Sequence, residues 1–382
     1  MKTRVFRMIL CITVALLAIA PVFIPRNTTE AASTITLIPS VQSAFPYSLT
    51  FNIRAESNSV INQLRLHYTV EKQNYAQVVS EGWPVFTPSN SINTAWVWDM
   101  RKSALPVGTT VNYWWTARDD TGNTAESEHL TIVFDDTQHA WKSKVEGPVT
   151  LLWYTGNNDF ADSLMAAAQE GLDRIENGIG IATEGTVRIY IYGSQSDLLS
   201  SQLFPPDWQG GVTFIGYDVI AISVATSQLS FGISATPHEL THWAVGHYIF
   251  NPYGAGLPVW LDEGLATYVQ DEQYTNWLNY AINNDRLFSV RTLSSPFSAI
   301  SDEAYISYAQ SQSIVTFLLS QYGKAKMVEL LNLYRDGTTD DAALSQVYGF
   351  DQDGLDRLWR QSIGADTAAV PSAFEPALAM SN

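Results

Sequence analysis

The sequence predicts a two-part protein: an all-β sandwich, then an α+β unit whose C-terminal half is helical. Three observations carry this. From about residue 33 to 136, apolar and polar residues alternate with period two. From 137 to 365 the pattern turns to helical periodicity punctuated by glycines. At 382 residues the chain is long enough for two units, each with a sizeable core.

The N-terminus reads as an export signal. Lys2, Arg4 and Arg7 precede a nearly continuous apolar run from Met8 to Ile24. Residues 1–32 are therefore assigned to a signal peptide cleaved after Ala31 or Ala32. The alternative is an uncleaved anchor, the one membrane attachment expected, which leaves the bulk of the chain outside. Cys11, the only cysteine, lies inside this run. The exported body then has no disulfides, which fits a bacterial protein that is secreted or held at the extracellular surface. A formal charge of -17 and a pI near 4.6 argue against nucleic acid and anionic membrane surfaces as partners. With 12 Trp and 18 Tyr, the chain has little room for disorder outside its termini. Residues 366–382 are expected to be a disordered tail. Oligomeric state is not legible.

Within 33–136, strands are predicted at 34–37, 48–53, 64–70, 94–98, 111–117 and 130–134, with a turn at Asp120-Thr121-Gly122-Asn123. Six or seven strands over about a hundred residues read as an immunoglobulin or fibronectin type III-like sandwich. Trp114 and Trp115 point to opposite faces, so one belongs to the core. The aromatics are read as core filling rather than a ligand platform, and His67 and His129 as plain strand residues.

Beyond His139, strands are predicted at 149–154 and 187–192, with a helix at 159–178 between them. Residues 211–216 and 219–223 pair as a hairpin. Helices are expected at 304–321, 324–334, 340–347 and 355–363, separated by Gly323, Gly337 and Gly349.

His238-Glu239-Leu240-Thr241-His242 is an H-E-x-x-H pentapeptide. Residues four apart share a helical face, so both imidazoles reach one ion. Glu239 sits roughly 60° around the helix from His242. There it flanks a metal, where a general base takes a proton from metal-bound water. A catalytic zinc takes three protein ligands and keeps one position open. The missing ligand is sought in Trp260-Leu261-Asp262-Glu263-Gly264-Leu265-Ala266, across a Gly- and Pro-rich loop at 251–258. Glu263, on this second helix, folds back over the histidines. Gly264, Ala266 and Thr267 are small enough for close packing on the first helix. Pro237 leaves two readings open. Either Thr236-Pro237 starts the helix with Glu239 as capping-box partner, or the helix starts near Ser230 and kinks at the proline. His247 lies about 180° from His238 and is read as structural or exposed.

The pair H-E-L-T-H and W-L-D-E-G-L-A resembles the gluzincins, the thermolysin-like and aminopeptidase-like zinc metallopeptidases, and most closely the bacterial peptidase MA-like domains. The resemblance implies one catalytic Zn2+ on His238, His242 and Glu263, with Glu239 as general base. It implies hydrolysis of peptide or protein substrates by a zinc-activated water. It implies that 211–216 holds extended substrate through main-chain hydrogen bonds. It also implies an oxyanion-stabilising tyrosine after the glutamate ligand. Tyr308 is the candidate, Tyr305 the alternative, and a core role for the tyrosine stands beside both. No G-x-M-E-N-like segment precedes the zinc helix, which puts amino-terminal trimming in doubt and points to an endopeptidase. Asp262 stands where asparagine is common, and Thr267 where thermolysin places an aspartate beside a histidine ligand. Which group orients each histidine is therefore open.

A reading from another class is a surface binding or scaffolding protein that works through the sandwich and carries a vestigial peptidase domain. The intact set of His238, Glu239, His242 and Glu263 argues against it.

Overall fold

The computed structural model describes residues 35–207, 209–251, 256–272 and 274–366. Residues 1–32, read above as a signal segment, and residues 367–382 of the expected tail lie outside them.

The first sheet contains β1 (Thr36–Ala44), β2 (Ser48–Val70), β3 (Ser80–Gly82), β4 (Ser89–Asp99), β5 (Thr109–Asp119), β6 (Thr124–Glu126) and β7 (Leu130–Phe134). The strands predicted at 48–53 and 64–70 are one continuous strand of 23 residues. Glu56-Ser57-Asn58-Ser59 has the composition of a turn but stays extended. Register shifts against β4 between Glu56 and Ile61 and against β5 between Ile61 and Gln63, so the polar stretch and the residues after it form a bulge. The half before the bulge pairs with β1 and β4, and the half after it with β3 and β5. Both halves bury one core. Leu49, Phe51 and Ile53 come from the first, Leu64 and Leu66 from the second, with Trp98 of β4 and Val111, Tyr113 and Trp115 of β5. Strand alternation puts Trp115 inside and Trp114 outside. Trp114 stacks with His67 at 5.4 Å and with His129 at 4.2 Å.

The second sheet has β8 (Lys142–Glu146), β9 (Val149–Trp153), β10 (Val187–Tyr192), β11 (Gly211–Phe214) and β12 (Val219–Ser223), in the order β11-β12-β10-β9-β8. The three inner strands are parallel, and β12 is buried along its whole length, which is why it reads as apolar from Val219 to Ile222. β11 is an antiparallel edge strand, the predicted hairpin partner of β12. Among the described residues its outer edge is unpaired. Helix α1 (Asn158–Arg174) crosses from β9 to β10. It continues into a π turn at 175–179, closed by Gly180 at φ 95°. A short α2 (Gln195–Ser200) follows β10.

The remaining helices are α3 (Leu229–Tyr248), α4 (Val259–Gln270), α5 (Thr275–Asn283), α6 (Val290–Leu293), α7 (Ser301–Tyr322), α8 (Lys324–Arg335), α9 (Asp340–Tyr348) and α10 (Gln352–Ser362). α3 lies on α1 and against β11 and β12, and α4 packs between α3 and α7. Leu240, Trp243, Trp260, Leu261, Leu265, Ile314, Leu318 and Trp359 are buried in this layer. Gly264 serves a different neighbour from the one its sequence context suggests. A Cβ there would stand 2.6 Å from the Ser311 carbonyl oxygen and 2.7 Å from Val315, so its small size lets α4 approach α7 rather than α3. Among the described residues, no helix is long and apolar enough to cross a membrane.

The two sheets meet. The Gln73 N–H donates to Gly216 O at 2.6 Å, at the β11–β12 turn. The Tyr75 hydroxyl donates to Phe250 O at 2.9 Å, and its ring stacks on Phe250 at 5.1 Å, just past α3. Phe45 and Tyr217 pack into both the first core and a smaller cluster of Val107, Tyr190, Tyr192 and Leu198.

Candidate metal centre

α3 starts at Leu229, so the earlier of the two readings of its start holds, with Pro237 inside the helix. Glu239 is therefore no capping residue. The chain before Pro237 is held by the Thr236 hydroxyl, which donates to Gly232 O at 2.7 Å. His238 and His242 fall on one face of α3. α4 brings Glu263 onto the same spot.

The Nε2 atoms of His238 and His242 lie 3.2 Å apart. Glu263 Oε2 is 3.4 Å from the first and 3.6 Å from the second. Each histidine's other nitrogen is engaged elsewhere. His238 Nδ1 lies 3.0 Å from Gln270 Oε1, and His242 Nδ1 lies 3.1 Å from Asp262 Oδ1. Both outer partners are acceptors, so in the neutral rings the protons sit on Nδ1 and both Nε2 atoms present lone pairs. Glu263 Oε2 is buried and has no hydrogen-bond partner. With both rings neutral, three acceptors converge with no donor among them in the described residues, an arrangement that a cation resolves. A tetrahedral ion with bonds of about 2.05 Å spaces its ligands about 3.3 Å apart, which matches the three separations. His238, His242 and Glu263 together could hold a metal ion.

Without an ion, the site's charges compensate one another. Burial pushes the Glu263 carboxyl up, but the facing imidazoles of His242 and His238 outweigh it and hold the group well below the usual carboxylate range. Burial pulls His242 down, while Asp262 and Glu263 drive it well above the ordinary histidine value.

Glu239 points its carboxylate toward β11. The Thr213 hydroxyl lies 2.7 Å from Glu239 Oε2 and 3.0 Å from Glu239 O. Gly211 leaves the room that the carboxylate fills: a Cβ there would stand 2.5 Å from Oε1.

Tyr308 projects from α7 beside the candidate ligands, its ring 6.4 Å from that of His238 and 5.2 Å from Phe297. Burial and then the charges of Glu263 and Glu239 push its phenol well above the ordinary tyrosine value, so it stays protonated and can donate. Tyr305 is 46% exposed and stacks on Trp277 at 5.1 Å, away from the group. Tyr274 lies within 6.5 Å of Tyr308, ring to ring, and is pushed up to about 12 by burial and the Glu272 charge. His247 faces Asp218 at 3.1 Å and takes no part. Thr267 does not reach a histidine. Its hydroxyl donates to Glu263 O at 2.7 Å along its own helix.

Sequence reasoning missed Gly211, Thr213, Gln270 and Tyr274. Only Gln270 left a signal, since it follows Glu263 by two helical turns and shares its face. Asp262 was noticed as a departure but given no role, although it is the group that meets His242.

A family model described as the peptidase MA superfamily matches residues 167–365, just over half of the chain. No curated protein matches it. Among solved structures, aminopeptidase A of Legionella pneumophila in complex with aspartic acid is 10% identical. That match covers 84% of this chain and 48% of the aminopeptidase, at a TM-score of 0.37. A bromine derivative of BhCBM56 is 14% identical, covering 25% of this chain and 90% of its own, at a TM-score of 0.18. The sporulation control protein Spo0M of Bacillus subtilis is 8% identical, covering 36% and 54%, at a TM-score of 0.19. At such TM-scores these likenesses carry no argument about fold or activity. The family match stands on its own, spans α3 and α4 and includes all three of the converging acceptors: the chain belongs to the peptidase MA superfamily.

Proposed function

We propose that the protein is an exported zinc endopeptidase that hydrolyses peptide bonds, with Glu239 as general base. Membership of the superfamily supports a metallopeptidase in general. The observation that carries the finer reading is the convergence of three acceptor atoms with Glu239 beside them. Residues 1–32 are then the export signal, on the strength of the basic stretch and apolar run. Residues 33–136 form an immunoglobulin or fibronectin type III-like sandwich, a reading supported by the pairing of β1 and β4 with one half of β2 and of β3 and β5 with the other. Residues 137–365 are the thermolysin-like peptidase domain.

When bound to His238, His242 and Glu263, zinc lowers the pKa of a water toward neutrality and polarises a carbonyl. The Glu239 carboxylate takes the proton of the attacking water. It then delivers that proton to the leaving amine nitrogen as the C–N bond breaks. Thr213 holds the carboxylate in place for both transfers. The Tyr308 hydroxyl donates to the carbonyl oxygen as negative charge builds on it. The unpaired edge of β11 offers main-chain groups to an extended substrate.

The test is cleavage of a diverse peptide mixture read by mass spectrometry, with Glu239→Gln run alongside. The expected result is new internal termini with the wild-type protein only, equal zinc in both proteins, and a loss on the order of 10²–10⁴-fold in the variant. Identical termini from both proteins would remove Glu239 as the base. Cleavage confined to the first residue would make the enzyme an aminopeptidase instead.

A further inference from the structure

Resting on the zinc reading above, we propose that Gln270 is the positioning residue for His238, and that Glu272 and Ser234 lock its amide in the one orientation that serves a metal ligand. An amide can present either its oxygen or its nitrogen to an imidazole, and the two choices have opposite consequences. Oxygen against Nδ1 keeps the ring proton on Nδ1 and leaves the Nε2 lone pair for an ion. Nitrogen against Nδ1 moves the proton to Nε2 and turns the ligand atom into a donor.

The surroundings decide between them. Gln270 Nε2 donates to Glu272 Oε2 at 2.8 Å and to Ser234 Oγ at 2.8 Å. The Ser234 hydroxyl donates in turn to Glu272 Oε2 at 2.9 Å. A carboxylate accepts only, so both amide hydrogens are committed and Oε1 is the atom that meets His238 Nδ1.

The backbone makes this possible at the end of α4. Asp271 adopts a left-handed φ of 61°, which ends the helix and brings Glu272 back beside Gln270. Arg174 donates to Val269 O at 2.9 Å and Gln270 O at 3.4 Å, pinning the last turn. Arg174 is itself paired with Glu170 at 2.6 Å. Reach explains why the task falls here. Thr267, one turn after Glu263, is too short and spends its hydroxyl on its own helix. Gln270, two turns after Glu263, has the length. The two histidines are thereby held unequally, His242 by the Asp262 carboxylate and His238 by a neutral amide.

The experiment measures zinc affinity of the metal-free full chain by competition with a chromophoric chelator. Gln270→Leu removes the acceptor and keeps the bulk; it should bind zinc 10- to 100-fold more weakly than wild type. Glu272→Gln frees the amide to turn and should lose less. Thr267→Val should match wild type. Melting curves of the metal-free proteins check folding. If Gln270→Leu does not fold, Gln270→Asn, one methylene too short, replaces it. Equal affinity of wild type and the Gln270 variant, or an equal loss in Thr267→Val, overturns the proposal while zinc binding stands. A wild-type protein that binds no zinc overturns the zinc reading, and this proposal with it.

Discussion

Gly211→Ala is a one-carbon change that should disable the enzyme without disturbing its fold. The added Cβ would lie 2.5 Å from Glu239 Oε1 and 3.1 Å from its Cδ, whereas ordinary contact begins at 3.4 Å. The carboxylate must therefore withdraw by about 0.9 Å. Its other oxygen is tied to Thr213 at 2.7 Å, so the shift also strains or breaks that bond. A displacement of about 1 Å at a reacting group costs on the order of 10² in rate, equal to about 2.7 kcal/mol of activation free energy. Stability should hold or rise slightly. Gly211 lies outside the left-handed region, and replacing such a glycine by alanine contributes about 0.4–1 kcal/mol by restricting the unfolded chain. The assay pairs kcat/KM on a cleaved peptide with a melting curve and zinc content. The expected triple is a hundredfold loss, an equal or higher Tm, and unchanged zinc. Activity within threefold of wild type would refute the placement of Glu239 against β11. Loss of zinc would show that the damage runs through the ligands rather than the base.

Two further outcomes follow from the same geometry. Tyr308→Phe should lower kcat on the order of 10²-fold with KM nearly unchanged, because the hydroxyl is asked to act on charge that develops only during reaction. An unchanged kcat would reduce Tyr308 to packing against Phe297. Asp218 gives a pH prediction. Burial raises its carboxyl, but His247 and Trp243 outweigh burial and lower it below its ordinary value. Its folded value thus lies below its unfolded one near ~3.9. The contribution is present above the unfolded value and lost as pH falls through the folded one. Asp218→Asn should flatten the fall of Tm between about pH 5 and pH 3, and an identical slope in the two proteins would deny Asp218 that role.

The residues that carry chemistry were legible where periodicity fixes direction. H-E-x-x-H on a helix puts two imidazoles on one face, and the second helix needed only a carboxylate at the right depth. Strands with apolar runs, such as Val219-Ile220-Ala221-Ile222 in β12, were equally plain. The failures have physical causes. The polar stretch inside β2 reads as a turn, because a bulge and a turn both draw on Ser and Asn. Gly264 was assigned to the wrong neighbour because smallness says that something comes close, not what. Thr213 and Gly211 carry no local signal: they matter only because β11 lies beside α3, a long-range contact that no window of sequence contains. Thr267 drew attention by position, while its short side chain could not reach the imidazole.

The first unit touches the elements that frame the candidate metal site. Trp114, outward on β5, is stacked on both His67 and His129. By contrast, the loop after β2 reaches the second unit at two points that matter. Gln73 holds Gly216, in the turn that follows the strand carrying Gly211 and Thr213. Tyr75 holds Phe250, just past the helix carrying His238, Glu239 and His242. These two elements must keep their spacing if Glu239 is to stay against Thr213, since nothing covalent joins them near the site. The loop after β2 touches both elements and so braces their spacing.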